Sequence, residues 1–324
     1  MESRTFNTRR LPHLRRALLR WYDENRRDLP WRRARDPYRI WVSEIMLQQT
    51  RVAAVLPRYE KFLQHFPSVE KLASARVSSV LAEWSGLGYY RRARNLHAAA
   101  KVIARKFSGA FPESSNQLRE LPGIGRYTAA AIASIAFEEP VAVLDGNVER
   151  VLRRLLLCAT AAESWNAAQE LLDCQRPGDF NQAVMELGAT ICLPGEPWCS
   201  RCPITKFCAT RGTGQLPNRK PRQVKASVSV VLATKGDSVL LVQRGANESL
   251  MSGMWELPTL RDSVCKQKVL FRVRHSVTVT DYVVSVVAQS EVSAAGGEWV
   301  DRRKLLKLPL TGLAKKILSK RNII

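Results

Sequence analysis

No stretch of the 324 residues approaches the roughly 18–20 consecutive apolar positions of a membrane-spanning helix. The first residues also lack the apolar core of a secretory signal. A cytoplasmic protein is expected on these grounds, nucleoid-associated if the source is bacterial. Acidic side chains are in short supply: 29 Asp and Glu stand against 51 Lys and Arg, for a formal charge of +22. That excess predicts binding to a polyanion with a steep salt dependence, without separating DNA from RNA or a membrane surface. Cysteine is sparse and uneven. Of seven, four fall between Cys192 and Cys208, while Cys158, Cys174 and Cys265 lack matching partners and read as inert packing residues. This distribution excludes a disulfide framework and points to a metal site in a reducing compartment.

What remains is ordinary in bulk. Apolar content of 45% and charged content of 25% suit a soluble globular protein, and the length suffices for two domains that each bury a core. A basic start (Arg4, Arg9, Arg10) fits a DNA-facing arm, plain solubility or an organellar signal. Leu14, Leu18, Leu19 and Tyr22 recur at helical spacing within residues 12–25. The pattern stays helical to about residue 211, turns polar and basic over 212–223 as linkers do, and then takes strand period. Ser227–Ala233, Ser238–Gln243, Val277–Thr280 and Val283–Val287 are β-branched runs, with a closing helix at Ala314–Leu318. The expected organisation is an all-α domain over 1–211, a linker over 212–223 and an α+β domain over 224–324.

Chemistry concentrates in the first domain. Leu121-Pro-Gly-Ile-Gly-Arg-Tyr127 reads as a tight turn before an Ala-rich helix, where Gly123 and Gly125 allow the first helical N–H groups to meet a phosphate. Trp41, Glu44, Ile45 and Gln48 share one helical face. A Glu there is either a mis-phased surface residue or a carboxylic acid with a raised pKa, poised to donate a proton. Asp145 opens the helix Asn147–Leu157 as an N-cap, which predicts a low pKa and a carboxylate available to stabilise a cation. Between them, Trp84-Ser-Gly-Leu-Gly-Tyr-Tyr-Arg-Arg-Ala-Arg94 suits either a helix–helix turn or a loop that meets DNA. Trp31 beside Arg32 reads equally as a core tryptophan next to a solvated charge. The spacing Cys192-x6-Cys199-x2-Cys202-x5-Cys208 supplies four thiolates to zinc or to a [4Fe–4S] cluster, and softness alone does not choose.

The turn, followed some twenty residues later by Leu144-Asp-Gly-Asn147, resembles the helix-hairpin-helix of base-excision DNA glycosylases. Ser43-Glu-Ile-Met-Leu-Gln-Gln-Thr50 narrows the resemblance to the adenine DNA glycosylase (MutY) family. The resemblance implies removal of adenine mispaired with 8-oxoguanine or guanine in double-stranded DNA, by a monomer holding a [4Fe–4S] cluster on the four cysteines. It implies Glu44 as general acid and Asp145 as stabiliser of the sugar cation, with Tyr127 and Asn147 supporting them. It places Trp31, Arg32, Thr50 and Leu87 around the base pocket and Gln182 against the flipped base. Gln49 and Tyr89 become the duplex wedges. Val228-Ser-Val-Val-Leu-Ala, Leu241-Val-Gln-Arg and Gly253-Met-Trp-Glu-Leu-Pro258 resemble the start of a Nudix domain, but paired glutamates are missing after Leu260, so a recognition module is expected and not a pyrophosphatase. Within it, Phe271-Arg-Val-Arg-His-Ser-Val277 departs from the family's Phe-Ser-His, leaving Arg274, His275 and Ser276 as candidate readers of the opposite base, Ser276 favoured. Two rivals stay open. An endonuclease III-like lyase needs an amine where this chain has Tyr127, and a non-catalytic mismatch-binding module would have no use for Glu44 and Asp145.

Overall fold

The computed structural model describes residues 8–211, 224–245, 248, 250–260, 269–277, 280–288 and 297–324. Arg4, Cys265 and the expected linker at 212–223 lie outside them. Contacts divide the chain into two compact units, Met1–Ala73 with Ala98–Arg219 and Ser74–His97 with Lys220–Ile324.

In the first unit the helix Leu11–Asn25 buries Leu14, Leu18, Leu19 and Tyr22, as their spacing predicts. The helix Pro37–Leu47 starts where the Asp36 carboxylate accepts from the N–H groups of Tyr38 and Arg39, with Pro37 in the first turn. Nearly all of it is buried, from Tyr38 to Met46, which marks a core helix instead of an amphipathic one. It ends at Leu47, so Gln48 leaves the face it was expected to share with Glu44. The Gln48 amide donates instead to Thr128 Oγ1 at 3.2 Å. After the turn come the helices Arg126–Phe137, Gly146–Leu156 and Pro177–Thr190. Their shared core joins Leu18 and Tyr22 to Ala130, Val148, Leu152, Phe180 and Leu187. Gly188 sets how closely the last two helices approach, because a Cβ there would lie 2.7 Å from the Asn147 Cβ.

The second unit carries eight described strands, β1 (Val224–Leu232), β2 (Thr234–Lys235), β3 (Ser238–Gln243), β4 (Trp255–Glu256), β5 (Thr259–Leu260), β6 (Val269–Val277), β7 (Thr280–Ala288) and β8 (Gly297–Asp301). One sheet runs β5-β1-β7-β6, with β1 and β7 parallel. The other runs β2-β3-β4, with β8 on β3. Val230, Leu241, Val284 and Val286 meet Ile317 and Leu318 of the helix Gly312–Lys320, which Thr311 caps. The α+β expectation holds; of the run expected at Val277–Thr280, Val277 belongs to β6 and Thr280 to β7, where the two are antiparallel partners, and 278–279 lie outside the described residues. Ser74–His97 belongs here because the Ser85 and Tyr90 hydroxyls each donate to the Leu310 carbonyl at 3.4 Å.

Candidate active site

Glu44 is buried in the first unit, 7% exposed. The Tyr127 hydroxyl donates to its Oε2 at 2.7 Å and lies 3.3 Å from the Met185 sulfur. Burial disfavours the charged carboxylate and pushes its pKa up to about 7; the Tyr127 hydrogen bond and Arg32 pull it down, and nearby Asp145 pushes it further up. Burial also raises the Tyr127 phenol, so that pair holds its proton on the tyrosine oxygen.

Asp145 caps the helix Gly146–Leu156. Its Oδ1 accepts from the N–H groups of Asn147 at 3.0 Å and Val148 at 2.8 Å, and its Oδ2 accepts from the Asn147 amide at 3.0 Å. The expectation of a low pKa is corrected: burial raises it, and the N–H donors of Val148 and Asn147 oppose that shift without reversing it. Three donors aimed at one carboxylate still favour its ionised form over what burial alone would allow. Asn147 is held in turn, because Arg150 Nη2 donates to its Oδ1 at 2.9 Å. The same guanidinium donates to the carbonyls of Gly188 at 2.7 Å and Cys192 at 2.8 Å. Glu44, Tyr127, Asp145 and Asn147 are thus tied to one another's surroundings by electrostatics and hydrogen bonds.

Trp31, Arg32 and Gln182 line a single cavity of about 280 Å³ with Tyr22, Arg26 and Ile135. Sequence reasoning missed the residues that hold Arg32 there. Glu186, 1% exposed, accepts from Arg32 Nη2 at 2.8 Å and from Arg27 Nε at 2.6 Å and Nη2 at 2.8 Å. Burial pushes the Glu186 pKa up, yet the two guanidinium partners outweigh it and the net shift is downward. The sequence offered little signal for Glu186, since the residues that share its helical face are Gln182, Ala183, Ala189 and Thr190, a mixed set that does not mark a buried acid.

Gln49 is exposed and Thr50 half-buried just past the Glu44 helix. In the second unit Leu87 is buried and Tyr89 exposed. Gln49 and Tyr89 share a φ in the left-handed region, 55° and 45°, a backbone that side-chain-bearing residues seldom adopt. Gly123 also takes a positive φ, 75°, whereas Gly125 does not. Gly125 matters through space: a Cβ built on it meets nothing within 4 Å, and it offers no side chain to cap the helix Arg126–Phe137. The N-terminus of that helix is open to an anion.

Cys192, Cys199, Cys202 and Cys208 line one cavity with Val151, Leu155 and Ile204. Burial pushes the Cys202 thiol up to about 11, so a thiolate there needs a cation to hold it. Beside the cavity lies Arg154, 3% exposed, with Nη1 donating to Cys192 Sγ at 3.3 Å and to the Leu193 carbonyl at 2.8 Å. Its Nη2 donates to the Gly195 carbonyl at 3.1 Å, and none of these partners is a carboxylate. A buried guanidinium of this kind fits an anionic tetrathiolate group. Among the described residues no three such donors converge as they would on a single ion. Arg272, Arg274 and Ser276 occupy the exposed side of β6, and His275 points to the opposite, half-buried side. Burial and then Lys316 lower the His275 pKa.

Residues 42–174 match the family described as HhH-GPD superfamily base excision DNA repair protein. A solved structure of a thermostable thymine-DNA glycosylase superposes with a TM-score of 0.59 at 29% identity, over 64% of this chain and 98% of that one. The chain is a member of the helix-hairpin-helix superfamily of base-excision repair proteins. Its relatives place it further. The adenine DNA glycosylase of Rattus norvegicus is 40% identical over 310 residues, 76% of this chain and 60% of the relative. That of Buchnera aphidicola subsp. Acyrthosiphon pisum is 42% identical over 199 residues, 59% of this chain and 57% of the relative. The chain belongs to the adenine DNA glycosylase family, and it spans about three-fifths of the length of these relatives.

Proposed function

We propose that the protein is a monofunctional DNA glycosylase that releases adenine opposite 8-oxoguanine or guanine in duplex DNA and acts as a monomer. The observation that carries this reading is a buried carboxyl with a pKa of about 7, hydrogen-bonded by one phenol. A base inside a duplex is out of reach, so the adenine must first leave the stack. Neutral Glu44 then gives its proton to a ring nitrogen of the extruded purine as the C1′–N9 bond breaks and its electrons pass to the base. Asp145 faces the resulting sugar cation as a carboxylate held by three donors. Water adds at C1′ and loses a proton, leaving an abasic site. Tyr127 positions the acid, Asn147 the carboxylate, and Gly123 and Gly125 open a helix end to the backbone phosphate.

Trp31, Arg32, Thr50, Leu87 and Gln182 are assigned to the base, and Gln49 and Tyr89 to the gap it leaves. The exposed, left-handed backbone of the latter two supports a wedge, since it presents each side chain at the tip of a turn. The four cysteines are assigned a [4Fe–4S] cluster on their spacing, their common cavity and the buried Arg154. When bound, the cluster supplies a rigid positively flanked loop for phosphate contact; the chain's own Arg201, Lys206 and Arg211 carry the charge. In the second unit, Arg274, His275 and Ser276 form the opposite-base reader, with Ser276 as acceptor and Arg274 as phosphate or carbonyl contact. We assign the protein to the cytoplasm.

The test is single-turnover excision from an adenine:8-oxoguanine duplex, with strand scission scored before and after alkali. Base release with scission only after alkali is the expected result. Scission without alkali would favour a lyase, and tight binding without release a recognition module.

A further inference from the structure

The β6–β7 hairpin holds a carboxylate that the reading above does not use. Asp281 stands directly across from Ser276 in the antiparallel register, and the Ser276 hydroxyl donates to Asp281 Oδ1. Both lie on the side of the hairpin that carries Arg272 and Arg274. An acid on such a face of a chain with charge +22 works against phosphate contact, which calls for a reason.

A free serine hydroxyl is a poor discriminator, because it donates or accepts as its neighbour requires. Guanine presents N7 as an acceptor, and 8-oxoguanine presents N7–H as a donor. An unconstrained Ser276 would satisfy either edge by rotating. Asp281 removes that freedom: a carboxylate only accepts, so the hydroxyl proton is committed to it and the lone pairs of Ser276 face outward. Fixed in this way, Ser276 accepts from N7–H of the lesion and meets N7 of plain guanine lone pair to lone pair. Discrimination then comes as much from the repulsion of guanine as from the attraction of 8-oxoguanine. We infer that Asp281 is a positioning residue that makes Ser276 selective for the oxidised base. This rests on the adenine glycosylase reading and on Ser276 as the reader.

Single-turnover excision by the full chain on adenine:8-oxoguanine and adenine:guanine duplexes separates the possibilities. In Asp281→Ala the ratio of the two rates falls about tenfold, and it falls because excision opposite guanine rises. Asp281→Asn keeps an oxygen that accepts the hydroxyl proton, so most of the ratio returns. In a Ser276→Ala background, Asp281→Ala changes the ratio no further. Equal loss on both duplexes, with a lower melting temperature, would reduce the Ser276–Asp281 pair to an ordinary cross-strand contact and overturn the inference. So would an unchanged ratio in Asp281→Ala. Failure of the unaltered chain to excise from either duplex would instead overturn the glycosylase reading, and the inference with it.

Discussion

Two glutamates lie buried on helices of the first unit, and they have opposite fates. Glu44 meets a single phenol, and burial holds its proton on up to a pH of about 7. Glu186 meets the guanidinium groups of Arg27 and Arg32, and its pKa shifts downward despite comparable exclusion from water. In the sequence each is an acid within a helical segment that also carries apolar residues, and neither segment shows which partner the acid meets. The partner decides whether a buried carboxyl is a proton reservoir or a fixed charge. Arg32 joins the two regions, because it is held by Glu186 and pulls the pKa of Glu44 down. A structural ion pair therefore tunes the acid beside it.

Removing each acid in turn should break the comparison most visibly. Glu44→Gln should retain duplex binding and lose excision by about 10²–10⁴-fold, the scale of a general acid. It should not lose stability at pH 8. Because the folded pKa lies above the unfolded value near 4.5, the native state holds the proton more tightly, and stability declines as pH rises from about 4.5 to about 7. Above that window the full penalty, on the order of 3 kcal/mol, is present in the parent and absent in Glu44→Gln. Thermal melts at pH 5 and pH 8 read the difference. Glu186→Gln should do the reverse, losing about 3 kcal/mol of stability by leaving two guanidinium groups without their anion. Chemical denaturation measures it, and a stability equal to the parent would mean that Arg27 and Arg32 find other partners.

A smaller effect is expected where the carboxylate Asp145 is supported from behind. Arg150→Ala leaves the carbonyls of Gly188 and Cys192 and the Asn147 Oδ1 without their donor, a loss of about 1–3 kcal/mol. Slower excision should accompany the lower melting temperature, since Asn147 is then free to turn from Asp145. Tyr127→Phe should have the smallest effect. The hydrogen bond it removes lowers the pKa of Glu44, so the alkaline limb of the pH–rate profile should move up by less than about one unit. Movement toward lower pH would show that the phenol acts through something other than that bond.

These contrasts also explain what could be read in advance. Helical spacing located the helix Leu11–Asn25, because periodicity records which face is buried, and a β-branched run located the strand Ser238–Gln243. The hairpin and the cysteine spacing were legible because turns and ligand loops are local. Glu186 with Arg27 and Arg32 was not, since the partners lie 159 and 154 residues apart and no periodicity links them. The end of the Glu44 helix at Leu47 was missed because nothing in Gln48-Gln-Thr50 is a conventional stop signal; the chain leaves helical geometry at Gln48, whose ψ is 114°, and Gln49 follows with a left-handed φ. The expectation for Asp145 failed for a physical reason. Capping was recognised, but the desolvation that opposes it depends on packing from distant segments. Likewise the run Val283–Val287 marked part of β7, but most of β6 was not drawn, nor was the register that sets Asp281 across from Ser276.

The central claim is that Glu44 enters the reaction protonated. The single-turnover excision rate on an adenine:8-oxoguanine duplex, measured from pH 5 to pH 9 with saturating protein, tests it most directly. A rate that falls tenfold per unit above a midpoint near 7, with no such limb in the residual activity of Glu44→Gln, is the predicted result. A rate that stays level through pH 9, or one that rises through 7, would contradict it.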